Sequence, residues 1–232
     1  MSQKRLTNND WKLYVNGYRA KYQPFITLLL ILCIWSQTLP AFTLKSGDLL
    51  FSEEPCGDFC DAIEQSTDTL ANVHINHVAI ARNDHQVIEA ISTGVKLTSL
   101  SEFLHRAKHP NNKQTIWVKR MKKNYAKLIP EALQFADEQI GKPYNASFTD
   151  DSDSSFYCSQ LITQSFYHAN HDQTVFQLIP MNFNNLKTHQ PITAWQEYFD
   201  HRHETMPQGV LGSNPVQLFK NSRLTLVHRY TN

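Results

Sequence analysis

The sequence predicts an α+β domain, an antiparallel sheet with helices packed against it. Short apolar runs of strand composition gather in the first half, at 49–51, 75–81, 86–91, 94–98 and 115–120. Two of them, 75–81 and 86–91, are joined by Asn83-Asp84, which reads as a hairpin turn. Helical spacing then takes over at 125–140, and again after Cys158, where Leu161, Ile162, Ser165, Phe166 and Ala169 share one face.

Each element has a local reason. Ser46-Gly47-Asp48 is a turn leading into the buried run at 49–51. Residues 53–72 are polar and irregular, with one helical turn around 58–65. The runs at 75–81 and 86–91 form the hairpin, and 94–98 adds a third strand. A short helix follows at 99–106, capped by Ser99 or Ser101. In the helix at 125–140 the apolar face is Leu128, Ala132, Phe135, Ala136 and Ile140, and Gly141 ends it. An acidic turn at 149–153 stops just before the Cys158 helix. Beyond Ala169 the pattern weakens: 179–180, 190–193 and 208–212 read as loops, 194–199 as one amphipathic turn, and 224–228 as a closing strand. There is no internal repeat and no low-complexity linker.

Composition excludes several classes. The chain has 232 residues, 41% hydrophobic and 19% charged, which is ordinary for a globular domain. A net charge of +1 gives no electrostatic footprint for nucleic acid. The eleven histidines are scattered, and no His/Cys set has zinc-finger spacing. The sequence therefore assigns neither a metal nor a cofactor.

The first 41 residues read as a signal peptide or N-terminal anchor, leaving 42–232 as the domain. Lys4, Arg5, Lys12, Arg19 and Lys21 precede an apolar run at 24–35, the length of a signal-peptide core and short for a membrane span. Leu39-Pro40-Ala41 ends in a small residue, as a cleavage site does. Cleaved export to the periplasm or cell envelope is the first reading. An uncleaved anchor, associated with the membrane through 24–36, is the second, and a cytoplasmic apolar helix the third. Export would permit a disulfide, for which Cys56 and Cys60 are the pair; two free thiols are the other reading.

The chemistry centres on Cys158. It falls in the first turn of a helix, where unpartnered N–H groups and the dipole favour a thiolate and could bind an oxyanion. A cysteine hydrolase also needs a histidine to move the proton and a group to orient that histidine. His77 and Glu89 sit inside the two hairpin strands, each six residues from Asn83, which predicts direct pairing on one face. His74, read as three residues earlier on the same strand, turns to the other face and is the weaker candidate. Read singly, each residue has a plainer alternative: a small core thiol, a core-edge histidine, a solvated carboxylate.

The order of the motifs carries a resemblance. Gly47-Asp48-Leu49-Leu50-Phe51, Asn76-His77-Val78-Ala79-Ile80, Val87-Ile88-Glu89-Ala90 with Gly94-Val95, Gly141-Lys142-Pro143-Tyr144 and Tyr157-Cys158-Ser159-Gln160-Leu161 follow one another. This resembles the circularly permuted papain-like amidohydrolases, the YiiX/YaeF/YebB-like branch of the NlpC superfamily, in which the cysteine helix comes after the histidine strand. The resemblance implies a permuted papain-like fold and a triad of Cys158, His77 and Glu89. It also implies amide hydrolysis through a thioester, with Tyr157, Ser159, Tyr144 and Asn76 near substrate or oxyanion. Asn76 replaces the usual Ser or Thr before the histidine, and Gln160 stands where Glu is common. The expected substrate is a cell-wall peptide or an N-acyl, lipid-type amide. The competing readings are an acyltransferase or thioesterase on the same fold, and a non-catalytic exported binding or structural protein.

Overall fold

The computed structural model describes residues 42–67, 73–107, 115–149 and 153–231; residues 1–41, on which the expected signal peptide or anchor falls, and the middle of the acidic turn lie outside them. In chain order the elements are β1 (Leu49–Ser52), α1 (Asp58–Ser66), β2 (His77–Ala81), β3 (Gln86–Ile91), β4 (Gly94–Ser99), α2 (Leu100–Arg106) and β5 (Thr115–Met121). A 3-10 turn (Lys123–Leu128), α3 (Ile129–Glu138), α4 (Cys158–Ala169) and β6 (Ile179–Pro180) follow. Then come α5 (Thr193–Arg202), β7 (Leu211–Gly212), α6 (Pro215–Phe219) and β8 (Leu224–Thr231).

The expected α+β architecture is present. Six strands form an antiparallel sheet in the order β4-β3-β2-β1-β5-β8, and β6 pairs with β7 as a separate ribbon. β1 and β2 are buried along their whole length because both sheet faces are covered. Val78, Ile80, Ile88 and Ala90 join the core that holds Ala132 and Ala136 of α3 and Leu161 and Phe166 of α4. On the other face α2 supplies the fully buried Phe103. Burying one such side chain contributes roughly 1.5–3 kcal/mol, which is why these strands read as unbroken apolar runs.

α4 is the central helix. Tyr157, in extended conformation, precedes it, and Gln160 Oε1 accepts from the Tyr157 N–H at 3.3 Å. Asn145 Nδ2 donates to the same oxygen at 3.0 Å, so Gln160 fixes the start of the helix. Most α4 side chains are buried, as expected of a helix packed on several sides.

Several sequence expectations are corrected. The helix expected at 125–140 is a 3-10 turn followed by α3, because Pro130 near its start fits only the first turn of an α-helix. Ile140, expected on its apolar face, is exposed. The single turns expected at 58–65 and 194–199 are full helices, α1 and α5. They pack together through Phe59 and Trp195, with ring centroids 5.1 Å apart. Within the expected loops, 179–180 and 211–212 pair as strands; just beyond them Asn214 caps α6 by accepting from the Gln217 N–H at 2.8 Å. Cys56 and Cys60 are bonded, with Cα atoms 5.3 Å apart.

Candidate active site

Cys158, His77 and Glu89 are brought together from α4, β2 and β3. Cys158 is the first residue of α4 and is a free, buried thiol. His77 is the first residue of β2, and the Cys158 thiol lies close enough to its ring to help raise the ring's pKa. His77 Nε2 lies 2.8 Å from Glu89 Oε2. With Nε2 held by the carboxylate, Nδ1 is the nitrogen left for the thiol.

The expected direct pairing of His77 with Glu89 is corrected. Ile80 pairs with Ile88 and Ala81 with Val87, which centres the turn on Asp84 and not on Asn83. Extending that register sets His77 opposite Ile91, so Glu89 is its diagonal neighbour on the same face. The carboxylate spans the diagonal. A second diagonal completes its shell: β4 pairs Val87 with Thr98, and Thr98 Oγ1 donates to Glu89 Oε1 at 2.5 Å.

Two charged residues complete the centre, and sequence reasoning missed both. Glu54, just after β1, has Oε1 3.9 Å from His77 Nε2. Arg106, the last residue of α2, donates from Nε to both Glu54 oxygens at 3.1 and 3.0 Å. Its Nη2 donates to Glu89 Oε2 at 2.5 Å. The only signals were an acidic pair, Glu53-Glu54, after a buried strand, and a basic residue ending a short helix.

These neighbours set the charges. Burial opposes a charged imidazole, but Glu54, Cys158 and Glu89 together hold the His77 pKa well above its ordinary value. Burial likewise opposes the Glu89 carboxylate, yet His77, Arg106 and Thr98 outweigh it and bring its pKa down to about 2. The pair is thus built as imidazolium and carboxylate. His77 can accept the thiol proton and keep it until a leaving amine needs it.

The remaining expected residues divide. Asn76 is clasped to the Glu54 backbone and so belongs to the support of the centre. Burial first, and the nearby Cys158 next, hold the Tyr144 hydroxyl well above its ordinary pKa, so it stays a neutral donor. Tyr157 accepts from the Ser213 N–H at 3.1 Å through its hydroxyl. Ser159 is turned to Ser213, whose Oγ donates to it at 3.0 Å, so its hydroxyl is engaged in packing α4 against the β7–α6 segment. His74 precedes β2 instead of lying in it; its side chain is 61% exposed and bonds Glu64 at 2.9 Å.

Cys158 and His77 line a cavity of about 1160 Å³. Much of its wall is aromatic and apolar: Phe59, Phe148, Phe183, Trp195 and Tyr198, with Met181 beside them. Trp195 Nε1 donates to the Ala62 carbonyl at 3.2 Å, so the largest ring of this wall is locked to α1.

Comparison with known proteins gives a family match and a likeness in fold. A family model described as permuted papain-like amidase enzyme, YaeF/YiiX, C92 family, matches residues 43–228. The crystal structure of the metalloprotein yiiX from Escherichia coli O157:H7 is similar in fold, with a TM-score of 0.64 and 22% identity. The match covers 82% of this chain and 99% of that one. No curated protein matches the sequence.

Proposed function

Because the chain belongs to the permuted papain-like amidase family, we propose that it hydrolyses the amide bond of an N-acyl amine through a thioester on Cys158. The family makes it a cysteine amidase, an enzyme and not a passive binding protein. The triad, the acyl-enzyme and the substrate class are the parts proposed here.

The proposed steps use this chain's own groups. His77 Nδ1 takes the Cys158 proton, and the thiolate attacks the amide carbon. The oxyanion is met by N–H groups at the start of α4 and by the Tyr144 hydroxyl. The C–N bond then breaks as His77 returns the proton to the amine. Water, deprotonated by His77, cleaves the thioester and releases the acid. An acceptor alcohol or amine in place of water would make the same enzyme an acyltransferase.

One observation carries the substrate class. The cavity that holds Cys158 is walled by aromatic rings packed edge-to-face and exceeds the usual 300–1,000 Å³ of a small-molecule site. Such a wall suits an acyl chain better than the polar backbone of a cell-wall peptide. The leader supports export to the cell envelope, and the Cys56–Cys60 bond is in keeping with an oxidising compartment. No helix among the described residues is long and apolar enough to cross a membrane.

The structural relative is described as a metalloprotein, which invites a fit of the residues present here to a metal. Glu54, His77 and Glu89 offer donor atoms within 4.8 Å of one another. Arg106 already donates to both carboxylates, and Thr98 occupies the second Glu89 oxygen. A dication would have to displace a guanidinium from its own counter-ions, so the set as built does not fit a resident metal.

The test is turnover and intact mass with a series of N-acyl amino acids, set against a cell-wall stem peptide. Specificity rising with chain length, an acyl adduct on Cys158, and no adduct in Cys158→Ala are expected. Cleavage of the stem peptide without cleavage of any N-acyl amide would overturn the substrate class. Full activity in Cys158→Ala would overturn the mechanism.

A further inference from the structure

The Glu54–His77–Glu89 triangle has the composition of a metal site, yet its centre is served by an arginine. Glu89 is fully buried, and a buried carboxylate must be paired. His77 supplies one partner, at 2.8 Å, and Arg106 the other. Arg106 also takes both oxygens of Glu54 through Nε, so one planar group spans two carboxylates from different segments. A guanidinium suits this position because it is always charged and its donors are fixed in a fork. Its place is set by α2, and Phe103 one turn earlier lies under it, 5.6 Å from the ring centroid to the guanidinium carbon.

We infer that Arg106 is the built-in counter-cation of this centre: a positioning residue that holds Glu89 on His77 and keeps divalent metal out of the Glu54–His77–Glu89 triangle. Two carboxylates and an imidazole within 4.8 Å are a donor set that suits zinc or cobalt. Without the guanidinium, the two negative charges would remain and the donor oxygens would be released. A metal bound at His77 Nε2 would take that nitrogen from Glu89 and oppose the second proton, which Nδ1 must accept from Cys158. Arg106 supplies the positive charge while leaving the ring free to titrate.

The kinetic part of this inference rests on the amidase reading; metal uptake does not. The full chain is prepared as wild type, Arg106→Lys, Arg106→Met and Arg106→Met/His77→Ala, each checked for folding by circular dichroism. Each is equilibrated with Co²⁺ or Zn²⁺, dialysed, and assayed for bound metal and for Co²⁺ absorption bands. Wild type and Arg106→Lys should retain none, Arg106→Met one per chain, and the double variant none. Turnover of an N-acyl amide should fall roughly ten- to hundredfold in Arg106→Met, mainly in kcat, as is usual for groups that orient a functional side chain. Arg106→Lys should recover part of that loss, and added Zn²⁺ should inhibit Arg106→Met far more than wild type.

A folded Arg106→Met that takes up no metal and turns over like wild type would overturn the inference. So would a wild type that holds one metal per chain and loses it in His77→Ala. If Arg106→Met does not fold, Arg106→Lys carries the test, since a lysine variant equal to wild type in kcat at every pH removes the need for the fork. The expected uptake pattern in a chain that cleaves no N-acyl amide would defeat the substrate reading and leave the role of Arg106 standing.

Discussion

Asn76 and Glu54 hold each other by two hydrogen bonds: the Glu54 N–H donates to Asn76 Oδ1 at 2.9 Å, and Asn76 Nδ2 donates to the Glu54 carbonyl at 3.0 Å. The residue before the histidine thereby fixes the backbone of the acid that lies beside it. Glu54 is the largest influence raising the His77 pKa, ahead of Cys158 and Glu89, with burial acting against them.

Glu54→Gln should therefore lower that pKa. The attacking form needs a protonated ring, so activity must end at lower pH. Removing an opposite charge at this distance should move the alkaline limb of kcat/KM down by roughly one pH unit or more. The Arg106 guanidinium, having lost Glu54 and kept Glu89, acts in the same direction, while Glu89 and Cys158 still hold the ring. Asn76→Ala should move the limb the same way by less, because Glu54 keeps its Arg106 contact. An unchanged alkaline limb in Glu54→Gln would show that this carboxylate does not govern His77.

Glu89 makes stability depend on pH. Its carboxyl pKa falls from an ordinary 4.5 to about 2 in the folded chain, so the native state binds the proton less tightly than the unfolded state. That stabilisation is present above about pH 4.5 and is lost as pH falls toward 2. Its size is on the order of 3 kcal/mol at most. Urea unfolding across this window should show a fall in wild type that is much smaller in Glu89→Gln. Parallel pH profiles for the two proteins would place the acid-sensitive group elsewhere.

The proposed triad was legible in the sequence because each member sits in a local pattern that its chemistry perturbs. Glu89 and His77 each interrupt an apolar run of strand composition, and Cys158 follows a polar turn at the head of a periodic helix. The hairpin register was not, since Arg82 and Asn83 both donate to the Gln86 carbonyl and widen the turn beyond Asn83-Asp84. Glu54 and Arg106 were hidden for another reason. They meet across 52 residues of sequence, and no local periodicity records such a contact. The aromatic wall was equally obscure: Phe148, Phe183 and Trp195 come from three separate segments that the sequence presents as loops and a single turn.

The Cys56–Cys60 bond closes a short loop at the edge of the cavity, two residues after Glu54. Loop-closure entropy for a ring this small gives about 2 kcal/mol. Cys56→Ser, or reductant, should lower the unfolding free energy by about that amount. The effect on turnover should appear in KM for long-chain substrates more than in kcat, because Cys56, Cys60 and the adjoining Phe59 line the cavity. Equal stability with and without reductant would mean that the bond contributes nothing in solution.

Gly94 ties the sheet to the segment that carries Tyr144. It has φ +108°, and a Cβ there would meet the Lys142 carbonyl oxygen at 2.5 Å. Around it the Val95 N–H donates to that same carbonyl at 2.8 Å, and the Gly141 N–H donates to the Val95 carbonyl at 2.8 Å. Alanine at 94 would be strained by its positive φ and would also push Lys142 away, and Tyr144 lies two residues further on. The loss should exceed about 1 kcal/mol of stability and should include a fall in kcat through the displaced tyrosine. Gly141→Ala is the control: its φ of +93° carries the same kind of strain, but nothing lies within 4 Å of its added Cβ. Thermal unfolding and turnover of the two variants then separate strain from contact. Gly94→Ala should be the worse in both. Equal effects would assign the whole loss to backbone strain and leave the Gly94–Lys142 approach without a part in placing Tyr144.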